Sequence, residues 1–169
     1  NLEFEASVAG GIPILRTIKE GLATNKITKV YGILNGTSNY ILSEMRDAKD
    51  SFANVLKKAQ KLGYAEQGNP KLDLNGFDAF AKVRILSALA FNTKISKHKC
   101  LMEGIEKIEL KDIEISNQLN LRIKLLGISE IINEFSVSKL PVGSSAKINS
   151  GFIAIDLAIA TLCCSPPDN

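Results

Sequence analysis

The run from about Gly76 to Asn92 limits what this chain can fold into more than any other stretch. Phe77, Ala81, Ile85, Leu86 and Leu89 recur at helical spacing, so the run predicts a long helix with one apolar stripe to bury. A stripe of that kind needs a layer to pack on. Two β-rich runs can supply it: Ile27 to Leu34 reads as a strand, and Arg122 to Ile132 reads as one or two.

The remaining elements follow from local signals. Leu2, Phe4, Ala6 and Val8 alternate with polar residues, which predicts a strand over Asn1 to Val8. After the Gly10-Gly11 turn, Pro13 suits the first turn of a helix that runs to about Ala23. Asn35 to Asn39 reads as a polar loop into a helix from Tyr40 to Arg46. Ser51 caps another helix, with Phe52, Val55, Leu56 and Ala59 on its buried side and Gly63 past its end. Tyr64 to Asn75 is a polar loop with Gly68, Asn69 and Pro70 as turn formers. Glu103 to Ile108 is read as a short strand, and Lys111 to Leu119 as a helix. No internal repeat is present. Helices and strands alternate imperfectly, so the expected fold is α+β, a mixed sheet with helices packed on one face. One domain is expected over residues 1–154, followed by a divergent tail over 155–169 for which disorder is left open.

Composition excludes several functions. Hydrophobic residues make up 45% of the 169, as expected for a globular domain with its own core. The 21 basic and 18 acidic residues are well mixed, and a net charge of +3 argues against a nucleic-acid partner. The Lys94 to Lys99 run lacks interleaved aromatics and reads as a solvated loop. Cys100, Cys163 and Cys164 make no disulfide framework, and His98 is the only histidine, so no zinc spacing exists. A reducing cytoplasm is the expected location. Glu3 and Glu5 stand where a leader would be basic and apolar. The apolar run Phe152 to Cys164 is shorter than the ~20 residues that span a bilayer, and Asp156 interrupts it.

With one histidine, a Ser-His-Asp triad or an activated thiolate is improbable. Gly10-Gly11 lacks the spaced third glycine of a dinucleotide fingerprint. What remains is a polar constellation between Gly63 and Lys82: Glu66, Asp73, Asp78 and Lys82. Asp78 and Lys82 are four apart on the long helix and share a face. They are either a surface ion pair worth ~0.3 kcal/mol, or a lysine held among carboxylates in a cleft so that it can move a proton. A second candidate is the turn from Glu5 to Ile12, where one carboxylate and exposed carbonyls could hold a hard cation. A plain turn is the alternative.

Four segments together resemble homoserine dehydrogenase: Phe4 to Pro13 (FEASVAGGIP), Gly32 to Ile41 (GILNGTSNYI), Leu62 to Glu66 (LGYAE), and Asn69-Pro70, Asp73, Gly76, Asp78 and Lys82 at that family's spacing. Weaker likeness continues through Glu103 to Ile105 and Ile123 to Leu126. The resemblance covers nearly everything from Leu2 to about Ala154.

It implies roles position by position. Lys82 would donate and accept the proton at the substrate's oxygen, with Asp78 as its catalytic neighbour. Asp78 and Glu66 would bind L-homoserine or L-aspartate 4-semialdehyde, with Asp73 in the same acidic pocket. Gly63 would approach a nicotinamide cofactor, NADP or NAD. Glu5, with the carbonyls of Val8, Gly10 and Ile12, would hold a monovalent cation, usually sodium. A homodimer formed through the sheet is implied, and a place in threonine, methionine and isoleucine biosynthesis. The family puts a nucleotide-binding domain before this one and closes the region with a Gly-rich stretch and Pro-Thr-Ala. Neither is found here, so this chain alone is expected to be inactive. Alternatives are a non-catalytic dimerisation module or a piece of a bifunctional aspartate kinase–homoserine dehydrogenase.

Overall fold

The computed structural model describes residues 2–94, 101–132 and 153–163. Residues 95–99 of the expected Lys-rich loop, with His98, and also Cys100 and Cys164, lie outside them.

A sheet of four strands forms one layer. Its members are β1 (Lys29–Gly32), β2 (Leu101–Met102), β3 (Arg122–Ile132) and β4 (Ile153–Cys163), in the order β1-β3-β4-β2. β3 is antiparallel to both β1 and β4, whereas β2 runs parallel to β4. The sheet is therefore mixed, as expected. The boundary expected at Ala154 falls inside β4, where residues 155–163 continue the ladder with β3.

Among the described residues six helical segments form the second layer: α1 (Ile14–Arg16, continuing as a π-turn over Thr17–Gly21), α2 (Gly36–Ala48), α3 (Phe52–Lys61), α4 (Lys71–Leu74), α5 (Phe77–Ala90) and α6 (Leu110–Gln118). Leu125 of β3 is fully buried in a core with Ile41 and Met45 of α2, Val55 of α3 and Ile113 of α6. Two residues along, a side chain on Gly127 would meet Val83 of α5. Alternate residues of a strand share a face, so α2, α3, α5 and α6 cover one side of β3.

α3 shows how local chemistry sets an element. The Ser51 side chain accepts from Asn54 N at its start. At its end Gly63, with φ +81°, reverses the chain. Gly63 N donates to the Gln60 carbonyl and Tyr64 N to the Ala59 carbonyl, which is a Schellman ending.

Several expectations are corrected. The strand expected over Asn1 to Val8 is not found over the described residues Leu2 to Val8; Glu5–Ser7 is a 3-10 turn. The Glu5 carboxylate accepts from Leu15 N and Arg16 N, both at 3.0 Å, and folds the segment back onto α1. Pro13 at the start of α1 makes no side-chain cap, so Glu5 fills that role from ten residues away. Asn35 to Asn39 is not a loop. It is the N-cap and first turn of α2. The extended pair is Leu101–Met102 rather than Glu103 to Ile108. The buried face of α5 is Ala79, Val83, Leu86 and Ser87, while Phe77 is exposed. α5 lies between two cores, Ala79 in that of α2 and α3 and Leu86 in one with Val8, Leu15 and Ile18. Being apolar on more than one side, it carries no single readable stripe.

Candidate active site

The site is assembled at the junction of α2, α4 and α5. Asn35 leaves β1 and caps α2, its Oδ1 accepting from Ser38 N at 2.8 Å. Its Nδ2 donates to Asp73 Oδ1 at 2.7 Å and to Asp78 Oδ2 at 2.9 Å. Ser38 Oγ donates to the Asp73 carbonyl at 2.8 Å, so α4 is tied to α2 through both its side chain and its backbone. Lys82, one turn along α5, donates from Nζ to Asp78 Oδ2 at 2.7 Å and to the Leu34 carbonyl at 3.1 Å. The side chains of Lys82 and Asp78 keep only 25% and 29% of their exposure, so this is no free surface pair.

A cleft of about 280 Å³ opens beside these groups, lined by Glu66, Asn69, Pro70, Asp73, Asp78 and Ala81 among others. Three of the expected carboxylates thus border one concavity. Lys82 is not among its lining side chains and is joined to it through Asp78. Glu66 is placed by a neighbour: Gln60 Nε2 donates to its carbonyl at 3.0 Å. Thr37 Oγ1 donates to the Tyr64 carbonyl at 2.7 Å, and Tyr64 stacks on Tyr40 with ring centroids 4.3 Å apart. These contacts dock the 64–66 loop on α2, with the exposed Gly63 at its root.

The α4–α5 turn depends on two glycines. A Cβ on Gly76 (φ +83°) would stand 2.8 Å from the Glu103 carbonyl oxygen. One on Gly104 would stand 2.1 Å from that of Leu74. The backbones meet there, and Ile105 N donates to the Leu74 carbonyl at 2.8 Å.

The second candidate is arranged differently. Val8 is buried and Ile12 exposed, and both Glu5 carboxylate oxygens are engaged by backbone N–H groups. Among the described residues no group of three or more His, Cys, Asp or Glu could hold a metal ion, and no helix is long and apolar enough to cross a membrane.

Reading the sequence missed Asn35 and Asn39. Asn39 Nδ2 donates to the carbonyls of Asn35 and Leu125, both at 3.0 Å, and its Oδ1 accepts from Leu125 N at 3.1 Å. It takes the place of a strand partner where β1 has ended opposite Gly127. An asparagine directly after a strand and before a helical pattern is a cap signal, which was available for Asn35. No such signal marks Asn39.

Residues 13–156 match the family model for homoserine dehydrogenase. Over 128 residues the chain is 53% identical to the homoserine dehydrogenase of Neisseria gonorrhoeae, which covers 76% of this chain and 29% of that protein. Over 127 residues it is 52% identical to that of Helicobacter pylori, covering 75% and 30%. The crystal structure of a homoserine dehydrogenase from Thiobacillus denitrificans superposes with a TM-score of 0.73 at 49% identity, over 77% of this chain and 30% of that one. The chain thus spans about 30% of the length of these relatives. With an α+β fold shared with a solved relative and a family match over most of its length, the chain belongs to the homoserine dehydrogenase family.

Proposed function

We propose that this chain is the substrate-binding and proton-transferring part of a homoserine dehydrogenase, an oxidoreductase that interconverts L-homoserine and L-aspartate 4-semialdehyde. One observation carries the reading. Asp73 and Asp78, from different helices, converge on one amide while Lys82 pairs with Asp78, beside a cleft that Glu66 also lines. Homoserine has an ammonium, which carboxylates attract, and an alcohol that must lose a proton as its carbon is oxidised. Glu66, Asp73 and Asp78 bind and orient the substrate. Lys82, oriented by Asp78 and the Leu34 carbonyl, takes the alcohol proton as the neutral amine, becoming the ammonium, and in reverse the ammonium gives that proton to the aldehyde oxygen.

The nicotinamide cofactor, NADP or NAD, supplies the hydride chemistry when bound. Gly63 fits an approach by a flat ring: it is exposed, and no atom outside it and its two chain neighbours lies within 4 Å of where its Cβ would stand. The fit of a sodium ion is weaker. Both Glu5 carboxylate oxygens cap α1 and the Ile12 carbonyl accepts from Ile14 N at 2.7 Å, which leaves the carbonyls of Val8 and Gly10 for an ion, and no step of the reaction depends on it. The whole enzyme is read as a cytoplasmic homodimer of threonine, methionine and isoleucine biosynthesis. Tyr31 and Ile33, exposed at the β1 edge, are consistent with association.

The test is to join this chain to the nucleotide-binding part of the Neisseria gonorrhoeae relative and follow absorbance of the reduced cofactor with homoserine. Turnover by the joined enzyme, and none by the 169-residue chain alone, is expected. A joined, folded enzyme that binds cofactor but leaves homoserine unchanged would favour the dimerisation module instead.

A further inference from the structure

Among the described residues Asn35 is the one side chain hydrogen-bonded to both carboxylates, and it is itself buried, with 4% of its surface exposed. A primary amide has two N–H donors and a carbonyl acceptor. Here each donor has its own carboxylate, and the carbonyl has Ser38 N. The network also settles the amide's orientation. Turned over, the amide would set its oxygen against two carboxylates and its donors against an N–H.

Asp73 Oδ1 and Asp78 Oδ2 can therefore be no further apart than two hydrogen bonds end to end. Carboxylates so close repel each other unless something positive stands between or beside them. Lys82 donates to Asp78 Oδ2 and to the Leu34 carbonyl and makes no hydrogen bond to Asp73. The Asn35 amide is the group between them. Among the described residues, Asp73 Oδ2 and Asp78 Oδ1 carry no hydrogen bond, so each acid keeps one oxygen for a ligand.

We propose that Asn35 is a positioning residue, holding the carboxylates of Asp73 and Asp78 together and keeping Asp78 aligned with Lys82 without touching substrate. The effect on catalysis rests on the function proposed above; the effect on geometry does not. The cap at α2 is a separate duty of the same side chain, and the variants must separate the two. Serine and aspartate both cap helices well. Asn35→Ser keeps a cap but cannot reach the carboxylates, and Asn35→Asp keeps shape and cap but replaces the donors with a third negative charge.

In the joined enzyme, both variants should lower kcat/KM for homoserine by about 10- to 100-fold, the scale on which groups that orient a site's ligands act. The KM for the cofactor should stay near that of the parent, while the thermal midpoint should fall, more for Asn35→Asp than for Asn35→Ser, because a third carboxylate buried beside two others is destabilising. A role confined to folding would lower the midpoint and leave kcat/KM of the folded enzyme unchanged. In an Asp73→Asn background the loss from Asn35→Ser should shrink, because the partner is already altered; full additivity would overturn the proposal. A crystal structure of Asn35→Ser reads the geometry whatever the enzyme catalyses. The Asp73 and Asp78 side chains should part, and their staying in place would also overturn it. If they part while the parent enzyme leaves homoserine untouched, the positioning role stands and the assigned function fails.

Discussion

Lys82 on α5 is tied to the backbone of Leu34, where the chain leaves β1, by a hydrogen bond of 3.1 Å from Nζ to the carbonyl oxygen. A second bond, 2.7 Å to Asp78 Oδ2, leaves one of the three ammonium N–H groups without a hydrogen bond among the described residues. The lysine is thus aimed by two fixed acceptors and keeps one donor for a ligand. In the joined enzyme, Lys82→Ala should lower kcat by ~10²–10⁴-fold and change homoserine KM far less. Lys82→Arg should fail nearly as badly, since a guanidinium keeps its proton near neutral pH. Near-normal turnover by Lys82→Arg would reduce Lys82 to a positive charge in an ion pair.

Gly104 should tolerate no side chain. Its Cβ would lie 2.1 Å from the Leu74 oxygen and 2.4 Å from Asn75 Cα, both backbone atoms that cannot swing aside. Gly104→Ala is expected to cost about 1–3 kcal/mol, as overpacking does. It should also push the 103–105 turn away from α4, raising homoserine KM because Asp73 lies on α4. Thermal unfolding checks the first effect, and a wild-type midpoint would mean that the approach is looser than described.

Gly63 differs in kind, because space is open around it and only its φ of +81° resists a side chain. Gly63→Ala should cost about 1 kcal/mol from the left-handed backbone alone. Gly63→Asn should recover much of that, as asparagine visits this region more readily. If the cofactor passes close to this backbone, both variants should raise its KM while homoserine KM holds. An unchanged cofactor KM in the stable Asn variant would remove Gly63 from the cofactor site.

Glu5 offers a test between helix cap and cation ligand. Its carboxylate meets the N–H groups of Leu15 and Arg16 at the positive end of α1. Glu5→Ala should therefore lower stability by roughly 0.5–2 kcal/mol, equally in sodium-containing and sodium-free buffer. A loss confined to sodium-containing buffer would assign the carboxylate to the ion.

Much of the architecture was legible along the chain because its causes act over a few residues. The cap at Ser51, the reversal at Gly63, the strands at Lys29–Gly32 and Arg122–Ile132 and the helix Leu110–Gln118 all lie where local chemistry puts them. The Asp78–Lys82 pair follows from helix geometry alone. Failures came where a pattern needs a partner to have meaning. The alternation of Leu2 to Val8 presupposes a neighbouring strand, and Glu5 bonded elsewhere. The stripe on α5 presupposes one buried side, and α5 serves two cores.

The candidate site divides the same way. Residue types and spacing singled out Glu66, Asp73, Asp78 and Lys82, and the family resemblance implied one acidic pocket for the three acids. What joins Asp73 to Asp78 was not readable, because the crosslink is Asn35, which stands 38 residues from Asp73 and 43 from Asp78. A polar side chain in a polar string looks solvated in one dimension. It becomes a buried crosslink once α2, α4 and α5 pack together, where a polar group removed from water must find partners within the protein. Packing of the layers, which no local pattern records, chose those partners and turned separate acids into one cleft.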